Sequence, residues 1–211
     1  MHYNAAMKIV HLTTVDLSLR YLLYPQMAAA VAAGNEVIGV SAAGPEVQWL
    51  EERGIRHIAL HHSTRSMHVL ADLRAAREFA RIVRTERPDV VHTHNPKPGV
   101  YGRIVARLCG VPRVVNTVHG LYATRDNSWQ RRAVVYGLEA AASRFSHVEL
   151  VQNPEDFALM RRTHMAPRRK LRLLGNGVDL DRFYPNGITP DARRALRDLW
   201  GVDDDDVVVG T

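Results

Sequence analysis

Short β-branched runs alternate with longer stretches whose apolar residues recur every three or four positions, and this alternation runs almost the length of the chain. The runs 7–13 (MKIVHLT), 36–41 (EVIGVS), 56–60 (RHIAL), 89–93 (DVVHT), 113–118 (RVVNTV) and 147–151 (HVELV) read as buried strands. Between them, 21–33, 69–87, 99–109, 129–145 and 155–164 carry the helical period. Strand followed by helix, repeated, specifies an α/β chain: a Rossmann-like, doubly wound parallel sheet with helices on both faces. Boundary residues agree. Gly34 follows a helix, Arg87-Pro88 ends another, and Asn153-Pro154-Glu155-Asp156 places a cap, a proline and two acids at a helix start.

After Lys170 the pattern changes. A short extended run, 171–174, leads into the turn-rich Gly175-Asn176-Gly177-Val178-Asp179, a helix over 191–199, four aspartates and the β-branched run Val207-Val208-Val209. We expect a main domain over residues 1–185, with 186–211 a linker and the first strand of a further domain. The alternative is an ordinary tail.

The 211 residues carry a net charge of +6, unevenly placed: residues 1–60 balance to −1, 61–172 to +11 and 173–211 to −4. A basic middle segment points to an anionic partner. The longest weakly polar stretch of the chain, 21–35, is interrupted by Pro25 and Gln26 and is shorter than the roughly 20 residues of a membrane span, so no transmembrane helix is expected. Residues 1–6 lack the pattern of a secretory signal, and the single cysteine, Cys109, has no partner for an internal disulfide. These features suggest a cytoplasmic setting.

Ligands of open α/β sheets sit beyond the carboxyl ends of the strands. Those ends are polar here: Thr13-Thr14 and a loop with Asp16, Ser18 and Arg20; His92-Thr93-His94-Asn95-Pro96-Lys97; Thr117-Val118-His119-Gly120; and Gln152-Asn153. Such groups can hold phosphate oxygens, hydrogen-bond sugar hydroxyls and supply a titrating imidazole. His92 and His94, two apart on a strand, share a side and could ligate zinc, but no third ligand stands at matching spacing. We therefore expect no metal, and His92 to be a strand histidine satisfied by the backbone. His119 is the better candidate, because Gly120 lets a ligand approach the chain closely.

Two further features lie outside these strand ends. His61-His62 reads as a solvated loop with no partner. Along 69–87, Leu70, Leu73, Ala76, Ala80 and Val83 form an apolar stripe, while Arg74, Arg77, Arg81 and Arg84 form a cationic ridge with only Glu78 to neutralise it. That ridge is either a solvated helix face or a contact for anionic lipid. A second basic group, Arg161, Arg162, Arg168, Arg169, Lys170 and Arg172, favours the lipid reading. Nucleic acid is disfavoured, because no aromatic residues interleave with either patch.

Four stretches carry a family resemblance: MKIVHLTTVDLSLRYLL (7–23), ERPDVVHTHNPKPGVYGRIVARLCGVP (86–112), NTVHG (116–120) and KLRLLGNGVDLDRFYP (170–185). From residue 7 to 211 the chain resembles the amino-terminal, acceptor-side domain of a family-four glycosyltransferase of the two-Rossmann GT-B architecture. It is most similar to the subgroup that builds capsular, exopolysaccharide and other lipid-linked glycans.

The resemblance implies a retaining transferase that moves a sugar from a nucleotide sugar, a UDP sugar in our reading, to a polyprenyl-pyrophosphate-linked or other glycan acceptor. His119 matches the family histidine that reaches the donor sugar. Arg20, His94 and Lys97 fall where the acceptor should lie, with Arg20 and Lys97 inferred as phosphate clamps. Gly120 and Asn176 belong to the donor side of the cleft, and Asn176 and Asp179 match the interdomain motif. No cofactor or metal is implied, since preorganised positive groups can stabilise the departing diphosphate. The residues Val15-Asp16-Leu17-Ser18-Leu19-Arg20 depart from the glycine-rich loop that many members carry after the first strand. The family's donor-binding domain is not expected within these 211 residues, so the isolated chain should not transfer sugar. The chain is expected to sit at the inner face of the cell membrane as a peripheral protein. Two other readings stand beside this one: a stand-alone module that binds anionic membranes or partners, and a nucleotide-sugar epimerase, for which Asp16 and Asp126 are the evident carboxylates.

Overall fold

The computed structural model describes residues 6–64, 68–94, 96–124, 126–181, 183–184 and 187–209. Seven strands form one parallel sheet: β1 (Lys8–Val15), β2 (Glu36–Ala42), β3 (Arg56–Ala59), β4 (Val90–His94), β5 (Arg113–Val118), β6 (Val148–Val151) and β7 (Leu171–Leu173), in the order β3-β2-β1-β4-β5-β6-β7. The chain moves outward from β1 in one direction through β2 and β3, returns, and then moves outward from β4 in the other. Right-handed crossovers place the helices of the two halves on opposite faces. The sheet therefore opens a crevice between the carboxyl ends of β1 and β4.

On one face lie α4 (Val69–Glu86), α5 (Lys97–Leu108), α6 (Trp129–Ala142) and α7 (Pro154–Arg162). Val10 and Leu12 of β1, Val91 of β4 and Val114 of β5 meet Ala75, Phe79 and Val83 of α4 and Ala106 of α5 in the largest apolar cluster. Helix α5 comes unusually close to the sheet because of Gly102, where a Cβ would lie 2.5 Å from Leu12 and 2.8 Å from Thr93. On the other face, α1 (Asp16–Ser18), a π-helical turn at Leu19–Leu23, α2 (Tyr24–Ala32) and α3 (Val47–Glu51) cover the β1–β3 half. There Leu19, Leu23 and Met27 pack against Val37, Leu50 and Ile55.

Local chemistry sets the element ends. Asn153 caps α7 by accepting from the Glu155 backbone N–H at 2.7 Å, with Pro154 in the first turn. Arg87 closes α4 in the left-handed conformation (φ 47°) immediately before Pro88.

One sequence expectation changes and one element is added. The buried stripe of α4 is Ala75, Phe79 and Val83, while Leu70 and Leu73 are exposed: the helix turns its arginine-free side to the sheet and leaves its first turn uncovered. Helix α3 is an additional element, whose five residues are too few to display a period. Val207–Val209 pair with no strand among the described residues; an isolated run has no neighbour to complete its ladder.

The chain divides into two compact units, Met1–Gly175 and Asn176–Thr211. The second contains α8 (Pro190–Trp200), capped by the Thr189 hydroxyl accepting from the Ala192 N–H and ended by Gly201 at φ 64°. Both bounding residues are ones for which a helix terminus has a physical preference.

Candidate functional site

The crevice between β1 and β4 is a cleft of about 270 Å³ within the first unit, reached by Thr13, Thr14 and Ser18 from the β1 end, His94 and Lys97 from the β4 end, and His119 and Tyr122 from the β5 end. Two of its lining residues, His94 and His119, belong to a row of imidazoles that continues inward. His11 of β1 stands directly opposite His92 of β4. His11 Nδ1 lies 3.2 Å from His94 Nε2; His94 Nδ1 lies 3.1 Å from His119 Nε2; His119 Nδ1 lies 2.8 Å from Gln152 Oε1. His92 is held separately, by Gln26 at 3.3 Å and the Thr117 hydroxyl at 2.7 Å. Its ring centroid is nevertheless only 4.1 Å from that of His94.

Burial governs the electrostatics here. Desolvation pushes the pKa of His11 down to about 4. It also holds His92 and His94 well below the ordinary histidine range, with the neighbouring imidazoles adding to the effect. His119 is half-buried; desolvation lowers it too, partly offset by its hydrogen bond to Gln152. The imidazoles at and behind the cleft are thus held toward the neutral form, and Lys97 stands at its edge.

Among the described residues, His11, His92 and His94 are the group whose ligand atoms lie close enough, within 4.8 Å of one another, to suggest a metal. Tetrahedral zinc with roughly 2.0–2.1 Å bonds needs its nitrogens about 3.4 Å apart. Both nitrogens of His92 and of His94 already have hydrogen-bond partners. We read the group as a hydrogen-bonded row.

The structure brings His94, Lys97 and His119 together at the cleft, and behind His94 it adds buried His11, which the sequence reading did not single out. Lys97 Nζ forms an ion pair with Asp72 Oδ1 at 2.6 Å. A Cβ on Gly120 would meet nothing within 4 Å, so the space beside it is open. Arg20 does not line the cleft. Its guanidinium pairs with Glu46 and stacks over the Trp49 ring, 4.4 Å from the centroid. Asn176 opens the second unit and is exposed. Asn95 and Arg182 lie outside the described residues.

Two other expectations are corrected. His92 is satisfied by side chains, not by backbone. His61 and His62 do have a partner: both donate backbone N–H groups to Glu78, and their Nδ1 atoms stand 2.7 and 3.1 Å from its carboxylate. Burial opposes ionisation of Glu78, but these contacts outweigh it and bring the carboxyl down to about 2. Glu78 is thereby engaged away from Arg74, Arg77, Arg81 and Arg84, which are all exposed. In the second basic group, Lys170 is drawn inward to the Ser143 and Arg144 carbonyls at the end of α6. The carboxylates considered for an epimerase do not line the cleft: Asp16 accepts from the backbone of Leu17 and Glu46, and Asp126 is exposed.

Across the sheet, the sequence reading missed a second polar cluster. Fully buried Arg103 of α5 donates to the Gly99 carbonyl, to Glu149 at 2.8 Å and to Glu139 at 2.9 Å. Glu149 also accepts from Asn116 and Ser146, and Asn116 in turn accepts from Thr93. Arg103 answers two carboxylates, of which Glu139 is pushed up by burial, and this cluster contributes no residue to the cleft.

Comparison with known proteins gives the site a context. The family model described as Glycosyltransferase Family 4 matches residues 25–182. A UDP-Gal:α-D-GlcNAc-diphosphoundecaprenol α-1,3-galactosyltransferase of Escherichia coli is 30% identical over 142 residues, which cover 67% of this chain and 36% of that protein. Among solved structures, sucrose-phosphate synthase from Thermosynechococcus elongatus superposes with a TM-score of 0.72 at 19% identity, covering 91% of this chain and 53% of that one. An Anabaena protein solved in complex with UDP-glucose gives 0.63 at 17%, covering 92% and 50%. The chain thus spans about a third of the length of its curated relative and half that of the solved structures.

Proposed function

Because the chain belongs to glycosyltransferase family 4, we propose that it forms the acceptor-side half of a retaining transferase moving a sugar from a UDP sugar to a polyprenyl-diphosphate-linked glycan. The parallel sheet flanked by helices is the amino-terminal half of a GT-B fold. The observation that carries the finer reading is the cleft at the β1–β4 crevice, lined by Lys97, threonine hydroxyls and His119, with no atom in the way of a Cβ on the neighbouring Gly120. The E. coli relative, whose name gives a diphosphoundecaprenol acceptor and a UDP-galactose donor, supports both substrate classes.

In this mechanism Lys97 compensates the acceptor's phosphates, and Thr13, Thr14 and Ser18 hydrogen-bond sugar hydroxyls. His119 stands on the donor side, with Gly120 letting the sugar pass close to the backbone and Asn176 in the segment that leads to the donor-binding half. The oxocarbenium-like centre and the departing diphosphate are stabilised by fixed dipoles and positive groups, and no metal is required. Arg20 serves the acceptor loop by holding Glu46 and Trp49 beside the β1 end. Its displacement from Glu46 by a diphosphate would make it a second clamp.

The test is transfer of labelled sugar from a UDP sugar to a lipid-diphosphate-linked sugar. The 211 residues alone should be inactive, and fusion to the carboxyl-terminal half of the E. coli relative should give transfer that His119→Ala abolishes. Robust transfer by the chain alone, or full activity of the His119→Ala fusion, contradicts the reading.

Location at an anionic membrane surface is supported by a separate observation. Arg74, Arg77, Arg81 and Arg84 line one side of α4, and Val69, Leu70 and Leu73 stand exposed in its first turns. No helix among the described residues is long and apolar enough to cross a membrane, so the contact would be peripheral. Each basic group near such a surface contributes about 1 kcal/mol. Co-sedimentation with anionic vesicles should disappear at high salt and fall at least tenfold in Arg77→Glu/Arg81→Glu. Equal sedimentation with neutral vesicles would remove this role.

A further inference from the structure

The contacts of His119 continue inward as an unbroken row: Gln152 Oε1, His119 Nδ1 and Nε2, His94 Nδ1 and Nε2, and His11 Nδ1, with successive gaps of 2.8, 3.1 and 3.2 Å. A neutral imidazole has one N–H and one lone pair, so it can donate on one side only if it accepts on the other. An amide oxygen only accepts. The proton of His119 must then sit on Nδ1, which makes its Nε2 an acceptor and requires an N–H on His94 Nδ1. His94 Nε2 becomes an acceptor in turn and requires an N–H on His11 Nδ1. One choice at Gln152 fixes all three rings.

We infer that Gln152, His94 and His11 are positioning residues that act through His119, setting which of its nitrogens carries the proton and holding the ring in place at the cleft. Burial keeps the row uncharged: His11 and His94 are 2% and 3% exposed. The other titratable groups near the row are His92, whose ring packs against both His11 and His94, and Lys97, paired with Asp72 at the cleft edge. With both His119 nitrogens engaged, the ring is not a free base. A sugar hydroxyl that bonds it must take the place of Gln152 or His94. If that hydroxyl donates to Nδ1 in place of the amide, the row reverses as far as His11, whose Cα lies two strands away from that of His119.

The inference rests on the transferase reading for its purpose, but its geometry can be tested without substrate. In the 211-residue chain with ¹⁵N-histidine, long-range ¹H–¹⁵N correlation should show His94 and His119 both protonated at Nδ1. Through-hydrogen-bond ¹⁵N–¹⁵N couplings should join His94 Nδ1 to His119 Nε2 and His11 Nδ1 to His94 Nε2. In Gln152→Leu, which removes the acceptor, the pyrrole-type and pyridine-type nitrogen signals should exchange on His119, His94 and His11 together. Opposite tautomers on His94 and His119 in the wild type, absence of the couplings, or a switch confined to His119 in the variant would each overturn the proposal. Because the wild-type spectrum alone can refute it, a variant that fails to fold does not protect it. A failed transfer assay with an intact row would count against the transferase reading and leave this one standing.

Discussion

Thr93 and His94 are neighbours on β4, yet their side chains enter opposite layers of the molecule. Thr93 joins Asn116, Glu149 and Arg103 beneath α5, where charge is buried and Arg103 is shared between two carboxylates. His94 joins His11 and His119 at the cleft, where polarity is buried without charge and desolvation keeps the rings neutral. An ion network can brace helices against a sheet because each member is worth more paired than removed. Neutral imidazoles can exchange partners without paying to expose a charge, which suits the layer that meets a ligand.

Breaking the ionic layer should give the largest effect. Arg103→Met leaves Glu149 and Glu139 buried without their counter-ion, and we expect a loss of about 3–5 kcal/mol in denaturant unfolding. Adding Glu149→Gln should recover part of it; a single-variant loss below about 1 kcal/mol would mean that the network carries little.

The imidazole layer should respond to pH instead. Below about 6.5 an unfolded chain protonates its histidines, whereas the folded chain keeps His11 neutral down to about 4. The unfolded state thus binds more protons across this interval, so stability declines as pH falls from 6.5 to 4. His11→Gln should flatten that decline by roughly 1–3 kcal/mol, and an unchanged profile would contradict the burial argument.

Outside both layers, Glu78→Gln should cost about 1–2 kcal/mol at neutral pH. Its depressed pKa, about 2 in the fold, means that the wild-type advantage is present above pH 4.5 and lost as pH falls toward 2. A wild-type advantage that did not shrink with acid would remove the ionic part of this account.

The contrast also explains what could be read from sequence. The strands were legible because parallel strands buried on both faces are continuous β-branched runs, and the β4 and β5 ends announced their polar residues. Each polar layer, however, is assembled from strands far apart in sequence: His11 meets His94 across 83 positions and Arg103 meets Glu149 across 46. A signal existed for both, in the lone polar residues inside the apolar runs MKIVHLT, RVVNTV and HVELV. Such a residue must find a buried partner, but only the strand order says which. The pairing of Arg20 was not legible for a related reason: it packs against α3, a helix too short to be foreseen.

In the proposed function, substrate meets the imidazole layer at the β1–β4 crevice. Titrating the ¹⁵N-labelled chain with a short-chain polyprenyl-diphosphate-linked sugar tests it most directly. Shifts should concentrate at Thr13, Thr14, His94, Lys97 and His119, and binding should weaken about tenfold in Lys97→Ala, in line with the loss of one charge-assisted contact. Saturable binding whose shifts fall elsewhere on the chain and are unaffected by Lys97→Ala would contradict it.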